Sequence, residues 1–205
     1  MSSHPRIQDP PGTGTVYRAT LHALAQHGPR RAGVTHIARL ADTNRAFIYR
    51  NWASPQVLIR DATLLELRRV LEVAREVPGP LPPPQCVPVR IVVRAARLLR
   101  EHPVVGAMAR TDPTLAHAAV LRPTTVWHQE AWHWLSNHVT EHLPRGKEQE
   151  TATLAVLNTS LPYALTPPPD SADLTTERAS IDRRLTLSLH PCLGLPLNCH
   201  DCTPG

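Results

Sequence analysis

Apolar positions recur along most of this chain at helical rather than alternating spacing. Proline cannot continue a helix interior or a central strand, and the prolines leave free windows at 12–28, 30–54, 56–77, 89–102, 124–143, 145–161 and 170–190. In the first, Val16, Ala19, Thr20, Ala23, Leu24 and His27 run down one side of a helix that Gly28 and Pro29 stop. Leu64, Leu67, Leu71 and Ala74 form one stripe in 56–77, and Val92, Ala95, Ala96 and Leu99 form another in 89–102. The opening of the latter, Val89-Arg90-Ile91-Val92-Val93, resembles a strand, but no partner strand or hairpin turn lies nearby. Leu174, Ile181, Leu185 and Leu189 make a stripe behind a Ser171/Asp173 start. Pro78-Gly79-Pro80-Leu81-Pro82-Pro83-Pro84 reads as an extended, semi-rigid spacer. The expectation is an all-α protein of about nine helices without internal repeats.

Residues 34–52 carry the sharpest local signal. A short helix would hold Val34, Ile37 and Ala38 inward, three or four turn residues follow, and a second short helix would hold Ile48 inward. Its N-cap falls at Thr43 or Asn44. Ala38 suits the contact because two steeply crossing helices leave little room there. The second helix would then present Asn44, Arg45, Phe47, Tyr49 and Arg50 outward. Arginine can pair with guanine O6/N7, asparagine with adenine N6/N7, and phenylalanine can cover a thymine methyl. Tyrosine and the remaining arginine can hold phosphates. The competing reading places Phe47 and Trp52 in the core and treats Arg45 and Arg50 as a solvated face. Trp52 is better read as core, Tyr49 and Arg45 as DNA contacts.

Charge agrees with that division. The 205-residue chain has a formal charge of +5. Residues 1–77 hold 11 arginines, no lysine and 6 acidic residues, whereas residues 78–205 hold 11 cations against 11 acids. The whole excess therefore lies on the segment bearing the helix-turn-helix, as a polyanion-binding module would require. A chance unevenness in a chain with 21 arginines and 1 lysine is the plainer alternative.

The sequence order Ala25-Gln26-His27-Gly28, Ile37-Ala38, Ala41-Asp42-Thr43-Asn44, Ile48-Tyr49-Arg50-Asn51-Trp52, Ser54 and Leu58 resembles the DNA-binding domain of TetR-family transcriptional regulators. The match covers residues 15–62. Leu98-Leu99-Arg100-Glu101-His102-Pro103 and Arg110-Thr111-Asp112-Pro113 resemble a pattern in many of the family's regulatory domains. The resemblance implies an N-terminal three-helix helix-turn-helix domain over 1–62. A long helix would join it to a helical regulatory and dimerisation domain over 63–191, with a flexible tail at 192–205. It also implies a homodimer on palindromic double-stranded DNA, with half-sites roughly 34–36 Å apart. Family roles carry over to Thr43, Asn44 and Arg45 at the recognition-helix start, to Tyr49, and to Ser54 as cap of a fourth helix pointing at phosphate. Thr35, Phe47 and Arg50 complete the expected DNA-facing set. This sequence departs from the family at three positions. Asp42 replaces the usual turn glycine, Phe47 a small hydroxyl residue, and Pro55 a lysine. Asp tolerates a left-handed backbone, and proline suits a first helical position. The cationic phosphate contact is lost, with Arg45, Arg50, Arg30 and Arg31 available to compensate.

The remainder is less specific. Residues 126–142 hold three of the four tryptophans and four of the 12 histidines. They predict either an ordinary packed helix or the wall of a ligand pocket. In the latter, Met108, Trp127 and Trp134 are apolar surfaces and His128 and His138 polar anchors. The resemblance places the dimer interface on 147–165 and 173–190, with Leu154, Leu157, Leu161, Ile181, Leu185 and Leu189 supplying its stripes. Pro162 is expected to kink or end the first of these helices. His138 and His142 stand at i, i+4, and Cys199 and Cys202 at CxxC spacing, but each is at most half a metal site. A weaker DNA binder with metal or redox sensing there is the alternative function. No metal or cofactor is expected.

No nucleophile elbow, phosphate loop, paired carboxylates or dinucleotide fingerprint points to an enzyme. No apolar run approaches the roughly twenty residues of a membrane span, and the opening residues lack the apolar core of a signal peptide. A cytoplasmic regulator, most simply a repressor released by a small-molecule effector, is the expectation.

Overall fold

The computed structural model describes residues 12–76, 83–114, 122–141, 143, 146–166 and 174–196. Nine α-helices lie within them, and they contain no strand. In chain order these are α1 (Thr13–His27), α2 (Val34–Leu40), α3 (Arg45–Asn51), α4 (Pro55–Arg75), α5 (Val87–Arg100), α6 (Pro103–Thr111), α7 (Val126–His138), α8 (Lys147–Leu165) and α9 (Leu174–Cys192). The ambiguous Val89–Val93 run is helical, opening α5 with Pro88 in its first turn, where the missing N–H has no intrahelical partner to lose. Pro55 and Pro103 begin α4 and α6 in the same way.

Pro162 does not end its helix. α8 runs on to Leu165, and the Thr166 N–H bonds the Pro162 carbonyl. Both Pro162 and Asn158, whose carbonyl loses its i+4 donor, are exposed, so water can satisfy that carbonyl.

Two apolar cores form. The smaller gathers Val16, Ala19, Ala23 and Leu24 of α1 with Ile37, Ala38, Ile48, Trp52 and Leu58, and Trp52 meets Tyr17 edge-on at 5.5 Å. His27, expected on the apolar stripe, is exposed and stands edge-on to His36 instead. The larger core joins α4, α5, α7, α8 and α9. Between them α4 is shared, since Leu58 belongs to the small core and Leu71 and Ala74 to the large one. α6 also bridges them, because its Val104 packs into the small core. Leu193 is buried in the large core, so packing continues past the expected start of the tail at residue 192.

Where α6 meets α1, backbone geometry is decisive. Gly28 has φ +71°, and a Cβ there would collide with Thr111 Oγ1. Glycine is thus required both for the left-handed turn and for the close approach. Beside it, Arg30 Nε donates to Asp112 Oδ2 at 2.7 Å. Arg30 is thus paired with the residue that caps α6, while most of its side chain stays exposed.

Candidate DNA-binding face and apolar cavity

The turn between α2 and α3 forms around Asp42, at φ +49°. The Thr43 N–H reaches the Ala38 carbonyl at 2.9 Å and the Asp42 N–H the Arg39 carbonyl at 3.4 Å. That pair of bonds is a Schellman motif, with Asp42 in the left-handed position where glycine is commonest. Asn44 then caps α3, its Oδ1 accepting from the Phe47 N–H at 2.8 Å. The Asn44 side chain is thereby oriented, with its Nδ2 amino group left to donate outward.

Within α3 only Ile48 is buried. Thr35, Asn44, Arg45, Tyr49 and Arg50 are exposed, Tyr49 by 55%. Neither Arg45 nor Arg50 enters an ion pair among the described residues. Thr43 is half-buried. Phe47 is half-buried too, packed on the small core, so its ring is shared between core and surface. Ser54 caps α4, accepting from the Val57 N–H at 3.3 Å.

A cavity of about 370 Å³ lies behind this domain, inside the usual size range of small-molecule sites. Its wall is mainly aliphatic, from α4, α5, α6 and α8, with Leu21 and Leu24 of α1 and Pro29 completing it. Met108, Trp127 and Trp134 belong to the wall. His128 and His138 do not. On α7, Trp127, Ala131 and Trp134 form the inward stripe, and His128 stands about 100° off it, buried and stacked on Trp132 at 6.5 Å. His138 follows the stripe one turn beyond the cavity, edge-on to Trp134 at 6.1 Å.

The polar residues of the wall come instead from positions the sequence reading passed over. His102 caps α6 through Nδ1, which accepts from the Val104 N–H at 3.3 Å. Its other nitrogen must then carry the proton and donates to Glu66 Oε1 at 3.0 Å. Arg69 donates to the same carboxylate at 2.6 Å. Burial would raise the Glu66 carboxyl, but hydrogen bonds from Arg69 and His102 outweigh it and hold Glu66 below the usual carboxylate range. Thr63 and Thr125 are also in the wall, Thr63 accepting from the Trp127 indole N–H at 3.0 Å. The local signal for His102 was its place before Pro103, since a helix whose first residue is proline needs a cap just ahead of it.

The expected interface leucines divide. Leu157, Leu161, Leu185 and Leu189 are buried in the protomer's own large core and cannot reach a second chain. Leu154 is 45% exposed and Ile181 half-buried, and Leu187, not anticipated, is 38% exposed. The stripe spacing found the inward face of each helix, which serves the protomer first. His142, Cys199 and Cys202 lie outside the described residues. Among the described residues no three His, Cys, Asp or Glu side chains come together to hold a metal ion, and no helix is long and apolar enough to cross a membrane.

The architecture is all-α, with a helix-turn-helix formed by α2 and α3. More closely, it is the fold of a Mesorhizobium loti chain assigned to the TetR-family transcriptional regulators, solved at 1.54 Å. The two superpose with a TM-score of 0.56 over 89% of this chain and 95% of the other, at 12% identity. No family model and no curated protein matches the sequence.

Proposed function

We propose that the chain is a sequence-specific DNA-binding transcriptional regulator, a homodimeric repressor released from a palindromic operator when a small molecule fills the cavity. One observation carries the reading. α1 forms the small core behind the recognition helix and also supplies Leu21 and Leu24 to the cavity wall. A ligand there touches the DNA-binding unit itself, as well as α6, whose Val104 lies in the small core beside wall residues Val105 and Met108. Coupling needs only that the ligand favour one placement of α1 and α6 over another. Operator affinity then changes by that difference in binding free energy.

The recognition helix supports the DNA half of the reading. Arg45 and Asn44 offer base-edge donors at its start, and Tyr49, Arg50, Thr35, Thr43 and the Ser54-capped start of α4 offer phosphate contacts. The dimer is assigned to the outer faces of α8 and α9, around Leu154, Leu187 and Ile181, in place of the buried leucines. Selection from random double-stranded DNA with the purified protein should enrich a palindrome. Sedimentation should give about twice the 22.7 kDa chain mass. Failure to enrich any palindrome would remove the regulator reading.

A further inference from the structure

One stretch of backbone touches both the cavity and the start of the helix-turn-helix. The turn from α1 to α2, residues 28–33, contributes Pro29 to the cavity wall, where it is half-buried. On one side of Pro29, Gly28 sits against the Thr111 side chain at the end of α6, with no room for a Cβ. On the other, Arg30 pairs with Asp112, the residue that caps α6. α6 itself supplies Val105 and Met108 to the wall. Close-packed neighbours pass displacement on, so the turn and the end of α6 move together.

Backbone bonds make this turn stiff. The Ala32 N–H bonds the Gly28 carbonyl at 3.2 Å and the Gly33 N–H the Arg31 carbonyl at 2.8 Å. The Gly33 carbonyl then accepts from the His36 and Ile37 N–H groups at 3.0 and 3.1 Å, opening α2. Pro29 adds a fixed φ, and Ala32 is buried in the small core. A shift of Pro29 is thus delivered to α2, whose Ala38 carbonyl holds the Thr43 N–H on the way into α3.

Resting on the reading of this cavity as the effector site, we infer that the 28–33 turn carries its occupation to the recognition helix. The ligand bears on Pro29 and on α6, and α2 and α3 shift with them. Pro29 is then a positioning residue that acts on DNA through α2. The competing route runs through α4, which α7 holds by the Trp127–Thr63 bond and the Arg68–Glu130 pair. α4 enters both cores, so a shift along that route must repack both, whereas the turn moves α2 directly.

A side chain can stand in for the unidentified ligand. Ala131→Trp and, separately, Leu99→Trp place an indole in the cavity from half-buried wall positions on α7 and α5. Affinity of the full-length protein for the selected operator should fall about tenfold in each, within the roughly 5- to 150-fold usual for coupled sites. Amide exchange at Gly33, His36 and Ile37 should speed up. Each further variant is compared with and without the tryptophan. Pro29→Gly, which removes the ring and frees φ, should shrink the fall to under about threefold, below that coupling range. Arg30→Ala combined with Thr111→Ala, both at exposed positions, should do the same by releasing the turn from α6. Thr63→Val, which cuts the bond between α4 and α7, should leave the fall intact. A fall that persists in both turn variants, or that Thr63→Val abolishes, overturns the inference and leaves the effector reading standing. So does unchanged exchange at the three amides. If neither tryptophan alters operator affinity, the effector reading fails and the inference falls with it.

Discussion

Arginine is used in opposite ways at the two ends of this molecule. On α3, Arg45 and Arg50 are exposed and enter no ion pair among the described residues. On α5, Arg100 is 1% exposed, donating to Asp182 Oδ1 of α9 at 2.9 Å and to the Tyr163 carbonyl of α8 at 3.2 Å. Arg97 donates to the other Asp182 oxygen at 2.6 Å. One carboxylate therefore holds two guanidinium groups, and Arg100 extends the tie from α5 and α9 to α8. A guanidinium is suited to both tasks because its planar fork of donors is always charged. The difference lies in what the neighbouring sequence provides. Near α3 there is little acid, so Arg45 and Arg50 stay out of ion pairs among the described residues. In residues 78–205 every cation is matched in number by an acid. Net charge separates the two parts through their number of acids, 6 in residues 1–77 against 11 in residues 78–205.

The most severe way to break this comparison is Asp182→Ala. It leaves Arg100 buried with one carbonyl as its remaining acceptor, and loss of one partner of a buried pair costs about 3–5 kcal/mol. Urea unfolding should show that loss, and the Arg45 side of the molecule should be unable to offset it. If stability falls by under about 1 kcal/mol, the Asp182 cluster is not the tie between α5, α8 and α9.

Arg45→Ala and Arg50→Ala should do the converse, each changing stability by less than about 0.5 kcal/mol, as exposed substitutions do. On the selected operator, Arg45→Ala should cost about 1–3 kcal/mol and relax base preference at one position. Arg50→Ala should weaken all sequences alike and lower the salt slope by about one. Identical behaviour of the two variants would show that the base and phosphate roles are wrongly assigned.

The two ends also differ in how far they were legible from sequence. The helix-turn-helix could be placed because its determinants are local. Asn44 and Ser54 cap helices within three residues, and Asp42 makes a turn whose bonds span five. The cavity depends on contacts between distant segments. His102 meets Glu66 across 36 positions and Trp127 meets Thr63 across 64, and no spacing rule reports such pairs. Histidine-rich α7 drew attention to His128 and His138 because residue type was visible and facing direction at the cavity was not. Apolar stripes on α8 and α9 likewise reveal an inward face without saying which chain it packs against. Leu157 and Leu185 were for that reason legible as packing residues but not as interface residues.

The smallest expected effect concerns acid, and it separates the two regions by pH window. His36 on α2 is held below its ordinary value of 6.5 by desolvation first, then by the charges of Arg39, His27 and His22. Its Nδ1 stands 3.1 Å from Arg39 Nη2 and can accept from it only while unprotonated. With the folded value lowered, the unfolded chain takes up the proton first as pH falls below 6.5. Stability should therefore decline between 6.5 and the folded value, and be indifferent to this group above 6.5. Glu66 acts lower. Its folded value lies below the ordinary 4.5, because the hydrogen bonds from Arg69 and His102 overcome desolvation. Its contribution is complete above 4.5 and lost as pH falls through the folded value. Urea midpoints measured from pH 3 to 8 should then show two declines. His36→Gln should remove only the upper one, and Glu66→Gln only the lower. Loss of the upper decline in Glu66→Gln would place the weak acid response in the cavity rather than beside the recognition helix.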